Sequence, residues 1–166
     1  FTNKGTATVN TKLTSGTVTN NGTLTINGQA ETGNLKNNSI VTITDGNELL
    51  IKGELDNENG TIKGKVQLIG ENISTEKGEM NLGKETSTYN PLTINTIKEF
   101  IFTGSPVINN LIVQKANGVT FTESVTINNV NDENYSNNLN FYGAQFKKKD
   151  ENDFSTIEFK TSVFGS

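Results

Sequence analysis

The chain has no cysteine, histidine, tryptophan or arginine among its 166 residues. Without cysteine it can form neither a disulfide framework nor a thiolate zinc site. All 14 basic residues are lysine and the net charge is -4, so the chain lacks the basic stripe on which nucleic-acid binding depends. No apolar run approaches the roughly 18 residues of a membrane-spanning helix. We therefore expect no nucleic-acid partner and no membrane span in this segment.

Hydrophobic residues are also scarce, at 31% of the chain. A conventional two-layer globule would be short of core at this content. Disorder is not indicated either, because the net charge is small and β-branched residues recur throughout. The chain contains 26 asparagines and 24 threonines, which suit turns and strand surfaces respectively. This composition predicts an all-β fold that buries thin apolar stripes.

Short runs with a period of two residues follow one another along the chain and are separated by Asn, Gly, Asp and Ser. The stretch NNGTLTING at 20–28 resembles NNSIVTITDG at 37–46, and NENGTIKGKV at 57–66 follows at a similar interval. In 109–129 three such runs lie about eight residues apart. Three strands per repeat of about 17–24 residues is the pattern expected of a three-sided solenoid.

The sequence thus predicts one domain over 1–166, a right-handed parallel β-helix (β-solenoid) of about seven rungs. Residues 15–130 carry the regular pattern and 131–166 are less regular. An antiparallel β-sandwich is the alternative, since short strands with frequent turns suit it as well. The predicted inward residues are Val18, Leu24, Ile26, Val41, Ile43, Val66, Leu68, Ile94, Ile112, Val119, Phe121, Val125 and Ile127.

Asparagine has two expected roles in such a coil. Each corner needs a residue that tolerates left-handed backbone angles, which Gly does freely and Asn better than most residues. Asparagines stacked on successive rungs can also hydrogen-bond to one another as a ladder and so hold the register.

Three segments, TVTNNGTLTING, NNSIVTITDG and NNLIVQKANGVTFTESVTINN, resemble the degenerate repeats of right-handed β-helix surface proteins of Gram-negative bacteria. This family includes autotransporter passenger domains and filamentous-haemagglutinin-like adhesins. The resemblance implies export to the cell surface, an extracellular location and a role as stalk or adhesin. We also expect this chain to be a segment of a longer surface protein. The resemblance transfers no catalytic residue, because the matching positions are structural.

Function would then reside in binding, and we expect no enzyme, no cofactor and no metal site. The longest polar insert, NDENYSNN at 131–138, is predicted to project as a loop, and loops on rigid scaffolds often carry function. We predict ligand contacts at Asp132 and Glu133 in this insert, and at Tyr135 and Tyr142, whose rings offer a rigid apolar face with a hydroxyl. The partner would be a glycan or protein of a host or neighbouring cell.

Two further patterns have simpler interpretations. The segment with Asp56 and Glu58 before Gly60 differs from a calcium loop in the place of its glycine, and we interpret it as a solvated turn. Recurrent Thr-x-Thr pairs are the signature of an ice-binding array only if they repeat evenly. Their spacing along the sequence is irregular, so we interpret them as ordinary outward strand positions.

No amphipathic helix is predicted at either end to cover a terminal rung. An exposed strand edge invites pairing with another chain. The alternative function is therefore a self-assembling subunit of an extracellular filament, sheath or surface layer, in which copies associate head to tail.

Overall fold

The structure, a computed structural model, describes residues 1–128, 130–132 and 139–140. Within these residues every regular element is a β-strand and every strand pairing is parallel. The parallel β-solenoid predicted from the repeats is confirmed, with about seven turns. The antiparallel sandwich is excluded, because none of the described pairings is antiparallel.

The strands stack into three parallel sheets, which we number by the order in which the chain enters them. In chain order the strands are β1 (Thr2–Asn3), β2 (Thr6–Val9), β3 (Lys12–Asn20), β4 (Thr23–Ile26), β5 (Gln29–Asn37), β6 (Ile40–Ile43), β7 (Leu49–Ile51), β8 (Leu55–Asp56), β9 (Thr61–Leu68), β10 (Lys77–Asn81), β11 (Thr88–Asn95), β12 (Glu99–Thr103), β13 (Val107–Ile108), β14 (Leu111–Lys115), β15 (Gly118–Phe121), β16 (Thr126–Ile127), β17 (Val130–Asp132) and β18 (Leu139–Asn140).

Each sheet runs along the axis of the solenoid. The first sheet contains β1, the end of β3, the end of β5, β8, β10, β12, β15 and β18. The second contains β2, β4, β6, the start of β9, the start of β11, β13 and β16. The third contains the starts of β3 and β5, then β7, the ends of β9 and β11, β14 and β17.

The length of a turn changes along the axis. Residues stacked on successive turns lie 17 apart in the first turns, as Asn3 and Asn20 do. The separation rises to 25 between Asn57 and Leu82, because an extra loop enters between Leu68 and Lys77. It returns to 19 between Asn109 and Asn128. The sequence repeat is degenerate because loops of different length are inserted at the corners, while the strands keep their stacking.

Inward side chains of the three sheets meet in one core that runs along the axis. Twelve of the thirteen predicted inward residues are buried; Ile112 is the exception. The core extends to aromatic side chains, with the rings of Phe102 and Phe121 stacked at 5.2 Å on adjacent turns.

The inward assignment of Ile112 was wrong. It lies between Leu111 and Val113, which are both wholly buried, and its own side chain is only half-buried. When three successive residues are all apolar, the sequence does not show whether the middle residue or its two neighbours face the core. The pairing of β14 with β11 decides it, because Leu111 and Val113 stack on Leu92 and Ile94.

Glycine is required where successive turns approach closely at a corner. A Cβ atom on Gly22 would overlap the carbonyl group of Gly5 on the previous turn. Gly64 has a φ of +125°, a backbone conformation that other residues rarely adopt, and a Cβ atom there would lie 2.5 Å from the carbonyl oxygen of Ile43. These corners explain the regular punctuation of the sequence by glycine.

Candidate functional site

The predicted ligand-binding residues lie at or beyond the limit of what the structure describes. Asp132 is the last residue of β17, and its backbone pairs in register with that of Val113 in β14. Glu133, Tyr135 and Tyr142 lie outside the described residues. Ligand contact at these four positions therefore stays a prediction.

The most highly organised polar feature of the described chain is a column of asparagines, which we call the asparagine ladder: Asn3, Asn20, Asn37 and Asn57. It lies at the corner between the first and second sheets, and each member is 6% exposed or less. The Nδ2 group of each of the first three asparagines donates to Oδ1 of the next one at 2.8 Å. The second Nδ2 hydrogen goes to a backbone carbonyl, that of Thr23 for Asn3, that of Ile40 for Asn20, and those of Ser39 and Thr61 for Asn37.

The ladder ends above Asn57 in a buried polar cluster. Nδ2 of Asn57 lies 3.1 Å from the carbonyl oxygen of Leu82, 3.0 Å from Oγ of Ser87 and 3.4 Å from the hydroxyl of Tyr89. The Tyr89 hydroxyl donates to the same Leu82 carbonyl at 2.8 Å. Burial raises the pKa of Tyr89 well above its ordinary value, although the hydrogen bond from Asn57 opposes this shift.

Ion pairs connect turns on the outside of the solenoid. Nζ of Lys52 lies 2.6 Å from Glu31 on the turn below and 3.1 Å from Glu71 on the loop above. Hydrogen bonds to these two carboxylates raise the pKa of Lys52. Lys36 pairs with Asp56 at 3.0 Å, and this hydrogen bond lowers the pKa of Asp56. Solvent and salt screen exposed pairs of this kind, so these contacts assist the stacking only slightly.

Both oxygens of the Asp56 carboxylate, in the turn at 55–64, accept hydrogen bonds from other residues of the protein. Asp56 accepts a hydrogen bond from Lys36 and, through its other oxygen, from the backbone amide of Glu58 at 3.3 Å. In the described part of the chain no group of three or more Asp or Glu side chains is arranged to hold a metal ion.

A shallow groove of about 360 Å³ opens at the corner between the third and first sheets. Ile97 is 63% exposed there, the most exposed large hydrophobic residue of the described chain. Lys98 lies beside it and donates to the carbonyl oxygen of Thr75 at 2.7 Å. The groove combines an apolar surface with two ammonium groups and is lined by Ile69, Gly70, Glu71, Asn95, Thr96, Ile97, Lys98 and Lys115.

The threonine pairs are more regular than the sequence indicated. Two columns on the second sheet hold Thr6 and Thr8 in register with Thr23 and Thr25, followed by Ile40 and Thr42. The argument from irregular spacing was therefore wrong for the first turns. Each outward column is nevertheless interrupted. Ile40 takes the place of a threonine in one column and Lys63 in the other, so the threonines form no extended array.

Sequence reasoning anticipated an asparagine ladder and missed its extent and its end. The signal for the extent was present, since Asn3, Asn20 and Asn37 are spaced 17 residues apart. Nothing in the spacing indicated that Ser87 and Tyr89, 30 and 32 residues beyond Asn57, would receive its amide group.

Among the described residues no helix is long and apolar enough to cross a membrane. Comparisons with protein-family models, with curated proteins and with solved structures find no match to this chain.

Proposed function

We propose that this protein is a non-enzymatic, extracellular β-helical module of a bacterial surface protein that acts as a stalk or adhesin. The observation that carries the proposal is the continuous axial construction. A single core runs through the described turns and a buried asparagine ladder links the first four, so the chain forms a rigid body whose length grows with the number of turns.

The family resemblance supports the extracellular location. A solenoid of this kind presents long lateral surfaces, whereas its inward side chains serve only to pack one turn on the next. An adhesin would use those surfaces, or the predicted contacts at Asp132, Glu133, Tyr135 and Tyr142, to hold a glycan or protein of a host or neighbouring cell. The groove beside Ile97 is a second place for such a contact, since it offers an apolar surface next to Lys98 and Lys115.

Surface location is tested by protease treatment of intact bacteria that express the full-length gene. We expect release of peptides from this segment while a cytoplasmic marker protein stays intact. Protection of the segment until the cells are lysed would contradict an extracellular role.

Adhesion is tested by binding of the purified chain to arrays of immobilised glycans and extracellular proteins. We expect a specific ligand whose binding falls at least about tenfold in Tyr135→Ala/Tyr142→Ala or in Lys98→Ala/Lys115→Ala. The control Lys4→Ala/Lys84→Ala removes the same charge from two other exposed lysines and should bind as the wild type does. Turnover of any polysaccharide on the array would contradict the non-enzymatic proposal.

The alternative is a self-assembling subunit of an extracellular filament, sheath or surface layer, since an exposed strand edge can pair with a strand of another copy. Sizing chromatography and negative-stain microscopy over a range of concentrations separate the two proposals. Long regular fibres would support the subunit, and a monomer at all concentrations would support the stalk or adhesin.

A further inference from the structure

Four asparagines of the chain are followed directly by glycine: Asn21, Asn27, Asn59 and Asn117. An asparagine in this context can lose its amide group, because glycine has no Cβ atom to hinder the approach of its backbone nitrogen to the preceding side chain. All four residues are exposed, so water has access to them. The asparagines of the ladder are followed by Lys, Asn or Glu, so none of them has a glycine neighbour.

The reaction in such a pair is an intramolecular ring closure. The backbone nitrogen of the glycine loses its proton to water and attacks Cγ of the asparagine. A new C–N bond forms, the Cγ–Nδ2 bond breaks, and the amide group takes up a proton from water and leaves as ammonia. Water then opens the cyclic imide at one of its two carbonyl carbons. One opening gives aspartate, and the other gives isoaspartate, in which the main chain runs through the former side chain.

The structure distinguishes the four pairs by the surroundings of the glycine nitrogen. Gly22 donates to Oδ1 of Asn20 at 3.4 Å, and Gly60 donates to the carbonyl oxygen of Asn57 at 3.2 Å. Gly118 is buried within β15, whose backbone is paired with that of β12. Three of the four glycines are thus restrained by contacts that ring closure would have to disrupt.

Gly28 differs from these three glycines. It lies in the corner between β4 and β5, and its nitrogen donates to no other atom among the described residues. The preceding side chain, that of Asn27, donates through Nδ2 to Oδ1 of Asn10 at 3.1 Å. This contact lies on the surface and does not occupy the nitrogen that attacks.

We propose that Asn27–Gly28 is a site of spontaneous deamidation in the folded protein and that it reacts faster than the other three Asn-Gly pairs. A glycine nitrogen that must first leave a hydrogen bond, as in Gly22 or Gly60, reacts more slowly by about two- to tenfold. The fold therefore selects one of four pairs that have the same local sequence. This chemistry does not depend on where the protein acts.

Deamidation changes this corner of the solenoid. Either product adds one negative charge and removes the Nδ2 donor of Asn27. Isoaspartate also inserts one carbon into the main chain between two backbone hydrogen bonds, from Asn27 to the Val9 carbonyl at 2.8 Å and from Gln29 to the Thr11 carbonyl at 2.9 Å. Little room is available for it, since a Cβ atom on Gly28 would already overlap the Thr11 carbonyl. The modified turn should therefore stack less regularly on the turn below.

The test incubates the folded chain in mildly alkaline buffer and follows the four pairs by peptide mapping with mass spectrometry. Fragmentation that distinguishes isoaspartate from aspartate identifies products that passed through the cyclic imide. A parallel sample in guanidinium chloride removes the fold and keeps the sequence. Asn27→Gln blocks the site, because glutamine keeps the amide but closes a larger ring much more slowly. Asn59→Gln is the matched control at another exposed pair, and ion-exchange chromatography counts the charge variants that each chain forms.

We expect Asn27 in the folded chain to convert about two- to tenfold faster than Asn21, Asn59 and Asn117, with isoaspartate among its products. The four rates should become similar in guanidinium chloride. Asn27→Gln should remove most charge variants of the folded chain, whereas Asn59→Gln should leave most of them. Equal rates in the folded chain, or faster conversion of another pair, would overturn the proposal. An equal preference for Asn27 in the unfolded chain would overturn it as well, because the sequence and not the fold would then select the site.

Discussion

The Nδ2 group of Asn20 donates to Oδ1 of Asn37 at 2.8 Å, and both side chains are wholly out of contact with solvent. The two residues lie at one corner of adjacent turns, 17 residues apart. The 17-residue repeat of the sequence therefore sets how adjacent turns stack along the axis. A shift of one residue in either turn would break this hydrogen bond.

Asn20→Ala should destabilise the protein by about 2–5 kcal/mol. The substitution removes the acceptor of one Nδ2 hydrogen of Asn3 and the side-chain donor to Oδ1 of Asn37, and an unsatisfied buried polar group costs about 1–3 kcal/mol. Asn27→Ala is the matched control, because Asn27 also donates to an asparagine 17 residues away but on the exposed surface. It should cost less than about 0.5 kcal/mol. Urea unfolding gives both values, and similar losses would show that burial of the ladder contributes nothing.

Tyr89→Phe should cost about 1–2 kcal/mol at neutral pH, because the hydroxyl donates to the Leu82 carbonyl. The difference should shrink at high pH. The pKa of Tyr89 is raised in the folded state, so the wild type loses stability as the pH rises above the unfolded pKa of about 10, and the variant has no such group to ionise. Thermal melts of both proteins between pH 7 and 11 test this. A constant difference over that range would mean that the hydroxyl is not held in the buried cluster.

Asp56→Asn should have a small effect with the opposite pH dependence. The pKa of Asp56 is lowered by Lys36, so its contribution is present above the unfolded pKa of about 4 and is lost as the pH falls through the lower folded value. Both side chains are about half exposed, so we expect about 0.2–1 kcal/mol at pH 7 and no difference near pH 2. Titration of the Asp56 carboxyl by NMR gives the pKa directly, and a value at or above 4 would contradict the pairing.

Leu111→Ala and Ile112→Ala should differ sharply although the residues are neighbours. Truncation of the buried Leu111 should cost about 2–5 kcal/mol. Ile112 faces outward and should cost less than about 1 kcal/mol. Denaturant melts decide, and a larger loss at Ile112 would restore the original inward assignment.

The sequence was sufficient for the parallel solenoid because its two strongest signals are local. Alternation in segments such as Thr23–Ile26 shows which residues face inward. The 17-residue recurrence of Asn20 and Asn37 gives the number of residues in one turn. Both signals follow from the backbone geometry of stacked strands. Each could therefore be extracted from one chain.

Other features depend on contacts between distant residues and were beyond the sequence. There is no apolar-polar alternation at Leu111, Ile112 and Val113. Only the pairing with β11 therefore decides which of these side chains face the core. The termination of the ladder requires that Tyr89 reach Asn57 across an inserted loop of unpredicted length. The groove beside Ile97 likewise forms only where that loop meets the next turn.

The central claim is that the protein is built turn by turn along one axis, and deletion of a single turn tests it most directly. Removal of residues 20–36 joins Thr19 to Asn37 and brings Nδ2 of Asn3 to Oδ1 of Asn37, so every sheet can close again in register. Removal of residues 20–35 is the matched control, because a shift of one residue turns inward side chains outward. Circular dichroism and thermal unfolding should show a folded, cooperative β-protein for the first deletion and loss of cooperative unfolding for the second. Equal behaviour of the two deletions would contradict the account.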